Sequence, residues 1–248
     1  MFGRLSYDVT DNLNVYAQAQ WSSNENFSYA YPHDIYYGGL DIPVSNLFVP
    51  ASVAAQAQAL GLETLELGTW FKDLGSTVID NTRENASAVV GFNTELLAFD
   101  TDWNWDGYVQ YGAADQVARA RNSARFDRLS LALDVVADPD TGAPVCRSSL
   151  SNPGNGCIPF NLFGTGVNSS SAVDYLVGTP SQRESNFEQT VAATSIQGDI
   201  FDNWAGAVSL ATGVEYREET VEGMSTALDR EGVFWGGNYL PTIGEYHV

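Results

Sequence analysis

Basic residues are scarce in this sequence, and their scarcity excludes one large class of partners. Eleven Lys and Arg stand against 31 Asp and Glu over 248 residues, which gives a formal net charge of −20. A protein that binds nucleic acid needs a basic surface to neutralise phosphates. We therefore expect no nucleic acid among the partners.

Long apolar runs are also missing. No run of about 18 apolar residues is present to form a transmembrane helix. The first residues, "MFGRLSYDVTDN", lack the apolar segment and cleavage site of a signal peptide. Aromatic residues are plentiful, with 12 Tyr and 12 Phe. This composition favours strands with aromatic side chains over a helical enzyme.

The chain has two cysteines, Cys146 and Cys157, in the polar segment "CRSSLSNPGNGC". No histidine or second cysteine pair lies nearby, which disfavours a zinc site. We predict a disulfide that closes this loop, with α-carbons about 4.4–6.8 Å apart, and hence an oxidising compartment. Two unrelated free thiols are the alternative.

The sequence contains few residues that could form a catalytic site. The two histidines, His33 and His247, lie far apart in the sequence, and no Ser or Cys stands in a recognisable nucleophile elbow. We therefore predict no catalytic residues, no enzyme activity, no cofactor and no metal site.

Residues 98–112, "AFDTDWNWDGYVQYG", admit two interpretations. The spacing of the Asp and Asn residues resembles a calcium loop, but Trp105 and Tyr111 occupy the positions that need Gly and Glu. As a strand, the segment carries an apolar face with Trp103, Trp105, Gly107, Val109 and Tyr111. Its other face is polar and carries Asn104, Asp106, Tyr108, Gln110 and Gly112. Alternation of this kind predicts a half-buried strand.

The same layout, a short polar turn and then an alternating strand, occurs three times. We predict turns near Thr10, Thr101 (in "FDTD", from Phe99) and Asn203, all on one side of an antiparallel sheet of about six or seven strands. The other connections are long, because residues 22–69 and 113–185 show no sustained alternation. Residues 52–62 predict a short helix that ends at Gly61, and residues 126–138 a helix or a strand.

Alternation of short turns with long connections disfavours a compact soluble domain and is typical of outer-membrane β-barrels. In such a barrel Trp103, Trp105 and Trp204 would form the inner aromatic girdle. Trp21 and Tyr111 would belong to the outer one.

Several phrases resemble the TonB-dependent receptors of the Gram-negative outer membrane, in the branch common in sphingomonad and Caulobacter-type bacteria. They span most of the chain, in the family's order: "WNWDGYVQYG", "LALDVVADPDTGAPVCRSSL", "GCIPFNLFG", "ATGVEYREE" and "PTIGEYHV". The resemblance implies that residues 1–248 form part of a 22-stranded transmembrane barrel with long extracellular loops. It also implies import of a scarce nutrient, a siderophore, cobalamin or an oligosaccharide, with energy from TonB.

The sequence departs from this family by lacking a plug domain and a TonB box. It also stops where the family continues into further strands. We therefore expect an internal part of the barrel domain, with the TonB system acting through the missing plug. The expected surroundings are outer-membrane lipid, lipopolysaccharide and a small nutrient ligand.

Candidate contact residues follow from strand parity. Asn104, Asp106, Tyr108 and Gln110 would face the lumen, as would Glu215 and Arg217, which either contact plug or substrate or simply face water. Arg119 and Arg121 would emerge at the height of lipopolysaccharide phosphates. The alternative for the arginines near residue 120 is pairing with Asp115 and Asp127 inside the loop.

A second hypothesis of another class remains. A secreted, disulfide-containing β-sandwich that binds glycans through exposed Trp and Tyr would also suit the composition. Such a domain should be soluble and monodisperse, whereas a barrel segment should require detergent.

Overall fold

The computed structural model describes residues 1–98 and 100–247, with the backbone alone for residues 31, 32 and 36–38. Strands hold 59% of the residues and helices 16%, which confirms the prediction of an all-β chain. Phe99, which the sequence analysis placed in the second turn, lies outside the described residues.

Eleven strands are present in the described part. In chain order they are β1 (Phe2–Thr10), β2 (Leu13–Pro32), β3 (Asp34–Pro43), β4 (Thr64–Trp70), β5 (Ser76–Ala98), β6 (Thr101–Arg121), β7 (Val135–Ala137), β8 (Pro144–Cys146), β9 (Ser181–Asn203), β10 (Gly206–Ser225) and β11 (Thr242–His247). Seven form the main sheet, in the order β1-β2-β5-β6-β9-β10-β11, and every neighbouring pair is antiparallel. Within the described residues the sheet is open, with β1 and β11 as its edges.

The three predicted turns lie at one end of this sheet. Asp11 and Asn12 join β1 to β2, and Trp204 and Ala205 join β9 to β10. In the turn between β5 and β6, Asp100 has a φ of 61°. Because neighbouring strands alternate in direction, all three turns fall on the same side, as predicted, and the long connections fall on the other.

The two faces of the sheet differ in chemistry. The register aligns Val109 with Val90 and Ala192, and aligns Gln110 with Val89 and Val191. We call the side of β6 that carries Trp103, Trp105, Gly107, Val109 and Tyr111 the apolar face, together with the aligned positions of the other strands. The opposite side, with Asn104, Asp106, Tyr108 and Gln110, is the polar face. The strand interpretation of residues 101–112 is therefore confirmed over the calcium-loop alternative.

Three glycines in the sheet accommodate aromatic rings from the neighbouring strand. The ring of Trp103 lies over its partner Gly198, where an added Cβ would come within 2.4 Å of Trp103 Cδ2. Phe92 covers Gly107 in the same way on the apolar face, and Tyr16 covers Gly91 on the polar face. A glycine inside a strand often marks such a close approach.

The strands reach farther toward the long connections than the sequence predicted. β2 runs to Pro32, β6 ends at Arg121 and β9 begins at Ser181. Segments such as residues 22–26, "SSNEN", are polar on both faces, so period-two alternation gives no signal there. The prediction that β structure stops near Ser22 and Ala113 was wrong for this reason.

The long connections fold into a layer with its own core. Both small sheets, β3–β4 and β7–β8, lie there, as do the described helices α1 (Ala51–Ala59), α2 (Phe126–Leu133), α3 (Arg147–Ser151), α4 (Ser170–Val177) and α5 (Ala227–Glu231) and a 3₁₀ turn at Lys72–Leu74. The predicted helix at residues 52–62 corresponds to α1. Residues 126–138, for which the sequence predicted either a helix or a strand, form α2 followed by β7.

The hydrophobic core cluster of the described residues lies in these connections, although Val89, Trp103, Ala118, Ala120 and Val191 of the main sheet are also buried. The cluster contains Leu40, Ile42, Val49, Phe71, Leu74, Ala124, Leu129, Ala132, Leu133, Phe160, Ala172, Leu176 and Val177. None of these residues lies on a strand of the main sheet. Among the described residues, therefore, no layer of the structure packs against the apolar face of the sheet.

No helix in residues 1–98 and 100–247 is both long and apolar enough to cross a lipid bilayer.

Candidate functional site

The apolar face carries a continuous band of exposed side chains across six strands. Its middle row aligns Leu5, Ala17, Val90, Val109, Ala192 and Tyr216. Leu5 is 77% exposed, Val90 58% and Val109 51%. Contiguous apolar surface of this extent is rare on soluble monomers and marks an interaction surface.

The band has a defined height. From Trp103 to Tyr111 the strand advances eight residues, or about 26 Å at about 3.3 Å per residue. Lipid-facing bands of outer-membrane barrels measure about 25 Å and are bordered by aromatic rings. Trp105 stands near the turn end of the band, and Trp21 and Tyr111 stand at the loop end. Strands of such barrels are tilted by about 35–45°, so each crosses the bilayer with about 9–11 residues, and the segment from Trp103 to Tyr111 is of comparable length.

One predicted girdle residue departs from its expected role. Trp103 lies on the apolar face with its ring over Gly198, and only 7% of it is exposed. Trp105 is 40% exposed and Trp204, in the turn, 99%. The prediction that Trp103 projects outward was wrong, since the sequence does not reveal which residue stands opposite it.

Above the band, toward the loops, the same face becomes acidic. Seven exposed carboxylates follow the Tyr111 row on this face: Glu25, Glu84, Asp115, Glu184, Glu188, Glu222 and Glu245. An eighth, Asp80, is half-buried and pairs with Arg121. A sharp change from apolar to charged side chains on one face indicates a boundary between two surroundings.

The predicted lumen-facing residues share the polar face. Asp106 accepts a hydrogen bond from Ser195 Oγ at 2.7 Å, and Gln110 Nε2 donates to Gln189 Oε1 at 3.5 Å. Asn104 and Tyr108 lie on the same side of β6. Arg217 Nη2 pairs with Glu215 Oε1 at 3.0 Å, and Arg217 Nη1 lies 3.6 Å from Glu219 Oε1. The predicted ion pair is therefore present on this face.

The arginines near residue 120 have mixed partners. Arg119 Nε donates to Gln182 Oε1 at 2.8 Å, and Arg121 Nη2 pairs with Asp80 Oδ2 at 2.6 Å, both on the apolar face. The alternative prediction was that these arginines pair with Asp115 and Asp127 inside the loop. Asp127 does pair with Arg125. Asp115 instead accepts from Asn186 Nδ2, so an arginine pair to Asp115 was wrong.

Cys146 and Cys157 form the predicted disulfide. Their α-carbons are 6.2 Å apart, within the predicted range. The bond joins β8 to the segment after α3, so it closes one part of the connection between β6 and β9.

The loops fold over the polar face at its loop end. There, a cavity of about 350 Å³ is bounded by Ile79, Ala120 and Ser181 of the sheet and by Trp235 and Tyr239 of the connection between β10 and β11. The sequence analysis did not find this cavity, because its walls come from segments more than a hundred residues apart.

Two titratable groups fix the loops around this cavity. Burial lowers the pKa of His33, although Asp34 acts in the opposite direction. The neutral ring accepts a hydrogen bond from the Ala124 amide at Nε2, at 3.0 Å. Asp229 is fully buried and accepts from Ser181 Oγ, Thr226 Oγ1 and two backbone amides. Burial acts to raise the pKa of Asp229, but these donors hold it below its usual value.

In the described part of the chain, one group of side chains has the spacing for a metal ion. Ligand atoms of Glu218, Glu245 and His247 lie within 4.8 Å of one another on the apolar face near the edge strand β11. Glu245 and His247 are exposed. The sequence analysis predicted no metal site and did not single out this group.

Comparison of the chain with family models, with curated proteins and with solved structures found no match.

Proposed function

We propose that this chain is part of the β-barrel of an outer-membrane TonB-dependent receptor that imports a scarce nutrient. One observation carries the proposal: the loops fold over the loop end of the polar face and leave the apolar face of the sheet exposed. A sheet surrounded by water would bury its apolar face, because removal of apolar surface from water is the main favourable term in folding. In a barrel wall, hydrocarbon lies outside the sheet and water inside it, so the apolar face is the one that faces outward.

The topology supports the same proposal. Two-residue turns at one end and long folded connections at the other are the arrangement of periplasmic turns and extracellular loops. The identity of the family rests on the phrases quoted from the sequence. The nutrient proposed is a siderophore, cobalamin or an oligosaccharide.

The alternative, a secreted glycan-binding β-sandwich, requires a second sheet packed on the apolar face. The two small sheets of the described residues lie in the loops instead. We therefore favour the membrane proposal.

Solubility provides the first test. The urea-denatured chain, with its disulfide intact, is diluted either into buffer or into detergent micelles. We expect a monodisperse β-rich species in detergent and aggregation in buffer, because the apolar band needs an apolar solvent. A folded, monodisperse species in plain buffer would contradict the membrane location.

Transport is tested in a bacterium that carries the gene. Disruption of the gene should abolish uptake of one nutrient when growth is limited by iron, by cobalamin or by an oligosaccharide. Disruption of tonB should abolish the same uptake. Unchanged uptake under all three limitations would refute the receptor function and leave the membrane location untouched.

A further inference from the structure

We propose that a groove on the polar face of the main sheet binds a neutral oligosaccharide. This inference rests on the proposed function and deepens it, because the chemistry of the groove selects one of the three nutrient classes.

The groove crosses the polar face on the loop side of the Tyr111 row. Two neighbouring rows of the register supply its larger side chains. Gln20, Gln189, Glu219 and Tyr246 belong to the first row, and Asn85 and Phe187 belong to the second. The volume of the groove is about 610 Å³, compared with about 350 Å³ for the loop cavity. In the proposed barrel, this position lies on the extracellular side of the inner surface.

Small residues form the floor of the groove: Ser87 and Gly112 in the first row, and Ala114 and Gly244 in the second. A neighbouring aromatic ring fills the space above each of the glycines Gly91, Gly107 and Gly198. At Gly112, by contrast, the nearest atom to an added Cβ is Ser87 Cβ, at 3.7 Å. The space above Gly112 is therefore open to a ligand.

Two aromatic side chains border this floor and are accessible to solvent. Phe187 is 37% exposed and Tyr246 is 55% exposed. They lie on β9 and β11, two strands apart, which corresponds to about 10 Å at about 4.8 Å per strand. A water-filled lumen offers these rings no apolar neighbour. A sugar would provide one, because the C–H bonds of its ring form an apolar face, and burial of aromatic surface is favourable.

The polar groups beside these rings suit hydroxyl groups. Gln20, Asn85 and Gln189 each carry a carboxamide, which both donates and accepts hydrogen bonds, as a sugar hydroxyl does. Gln189 Nε2 donates to Glu219 Oε1 at 2.6 Å, which orients both side chains. Aromatic faces next to carboxamides can therefore bind the apolar and the hydroxyl surfaces of the same sugar.

The charges around the groove disfavour an anion. Among the described residues that line it, the charged ones are Glu188, Glu219 and Glu245, and none is a lysine or an arginine. Arg83 and Arg217 lie in the rows on either side, where they bond to Asn85 and Glu215. A carboxylate or phosphate ligand would meet like charges in the groove, whereas a neutral sugar avoids this repulsion.

The test uses the full chain in a zwitterionic detergent, because detergents with sugar headgroups would compete for the groove. Calorimetry measures binding of maltotriose and cellotriose, with citrate and cyanocobalamin as comparison probes. We expect at least one trisaccharide to bind with millimolar or higher affinity and citrate to give no signal. Binding of citrate or cyanocobalamin but of neither trisaccharide, or no binding of any probe, would overturn the proposal.

Tyr246→Ala is measured against Tyr216→Ala as its matched control. The two tyrosines lie on adjacent strands and are 55% and 48% exposed, but Tyr216 lies on the apolar face. We expect Tyr246→Ala to weaken trisaccharide binding by about tenfold and Tyr216→Ala by less than about twofold. Equal weakening by both variants would place the sugar outside the groove and reject the site.

Gly112→Leu provides a second test, which fills the groove from its floor and leaves both rings in place. Because the space above Gly112 accepts a Cβ, this variant should fold, as circular dichroism in detergent verifies. We expect its trisaccharide affinity to fall by at least about tenfold. Ala113→Leu, on the opposite face of β6, should change the affinity by less than about twofold. A folded Gly112→Leu chain with unchanged affinity contradicts the proposal.

Failure of the groove and failure of the membrane proposal give different results. A chain that requires detergent but binds neither trisaccharide refutes the oligosaccharide alone. A chain that folds in plain buffer and still binds a trisaccharide refutes the membrane location and keeps the groove.

Discussion

Single residues set the close contacts within the sheet, and glycine opposite an aromatic ring is the clearest case. Gly198 and Gly112 both lie in the β6–β9 pair, Gly198 on β9 and Gly112 on β6. An added Cβ at Gly198 would meet the indole of Trp103 at 2.4 Å, whereas at Gly112 the nearest atom lies 3.7 Å away. The two positions thus separate steric crowding from the general effect of replacing glycine.

We predict that Gly198→Ala destabilises the folded chain by about 1–3 kcal/mol, because the Trp103 ring must leave its position. Gly112→Ala should be neutral or slightly stabilising, since alanine reduces the entropy of the unfolded chain. Urea titration in lipid vesicles measures both variants. Equal effects would show that the ring of Trp103 does not rest on Gly198.

A second prediction at this scale concerns pH and His33. Burial lowers the pKa of His33 in the folded chain, so below about pH 6.5 the unfolded state binds more protons than the folded state. The contribution of the neutral ring is complete above that pH and declines as the pH falls. Because Nε2 must accept from Ala124, we expect hydrogen exchange at the Ala124 amide to accelerate between pH 7 and about pH 5.5, after correction for intrinsic rates.

The Leu129 amide, which donates to Arg125 within α2, is the internal reference for this experiment. In His33→Gln the acceptor does not titrate, so the corrected rate at Ala124 should lose its dependence on pH. A persistent dependence in this variant would assign the effect to another group.

Whole strands show which parts of the fold the sequence can reveal. β6 was predictable over residues 101–112 because apolar and polar side chains alternate along it with a period of two. Its extension to Arg121 was not, because above the band both faces carry polar or small residues. The loop cavity gave no signal at all, since its walls, such as Ile79 and Trp235, come from distant parts of the chain. The disulfide and the three turns were predictable because their causes are local.

For β6 we predict that arginine substitutions at two neighbouring positions differ in their effect on the free energy of unfolding. Val109→Arg places a cation in the middle of the apolar band and should cost about 2–4 kcal/mol in lipid. Gln110→Arg lies on the polar face and should change the free energy of unfolding by less than about 0.5 kcal/mol. Refolding titrations in lipid vesicles measure both. If the two variants are equally stable, the apolar face does not contact hydrocarbon.

The whole molecule consists of a sheet whose apolar face is exposed and a loop layer with its own core. These two parts are stabilised in different ways. The loop core is stabilised by removing apolar side chains from water. In our proposal, the sheet is stabilised by having hydrocarbon at its apolar face and water at its polar face. Damage to the loop core should therefore leave the sheet intact.

Leu129 and Leu131, both in α2, test this independence. Leu129 is 2% exposed and Leu131 is 40% exposed. Leu129→Ala should destabilise the loop layer by about 2–5 kcal/mol, whereas Leu131→Ala should have a much smaller effect. Hydrogen exchange should accelerate at the Phe160 amide, which donates to Ala132 in the loop core, and remain slow in β5 and β6. Simultaneous loss of protection in the sheet would show that the molecule unfolds as one unit.

The order of the strands has a consequence for the kinetics of assembly. Each neighbour in the main sheet is the next main-sheet strand along the chain, so no strand must be threaded between two others. The tight hairpins β1–β2, β5–β6 and β9–β10 can form first, at microsecond speed. Joining them requires closure of the long connections, and a loop that has already collapsed around its core behaves as a shorter tether. We therefore expect the collapse of the loops to set the rate at which the hairpins zip into one sheet.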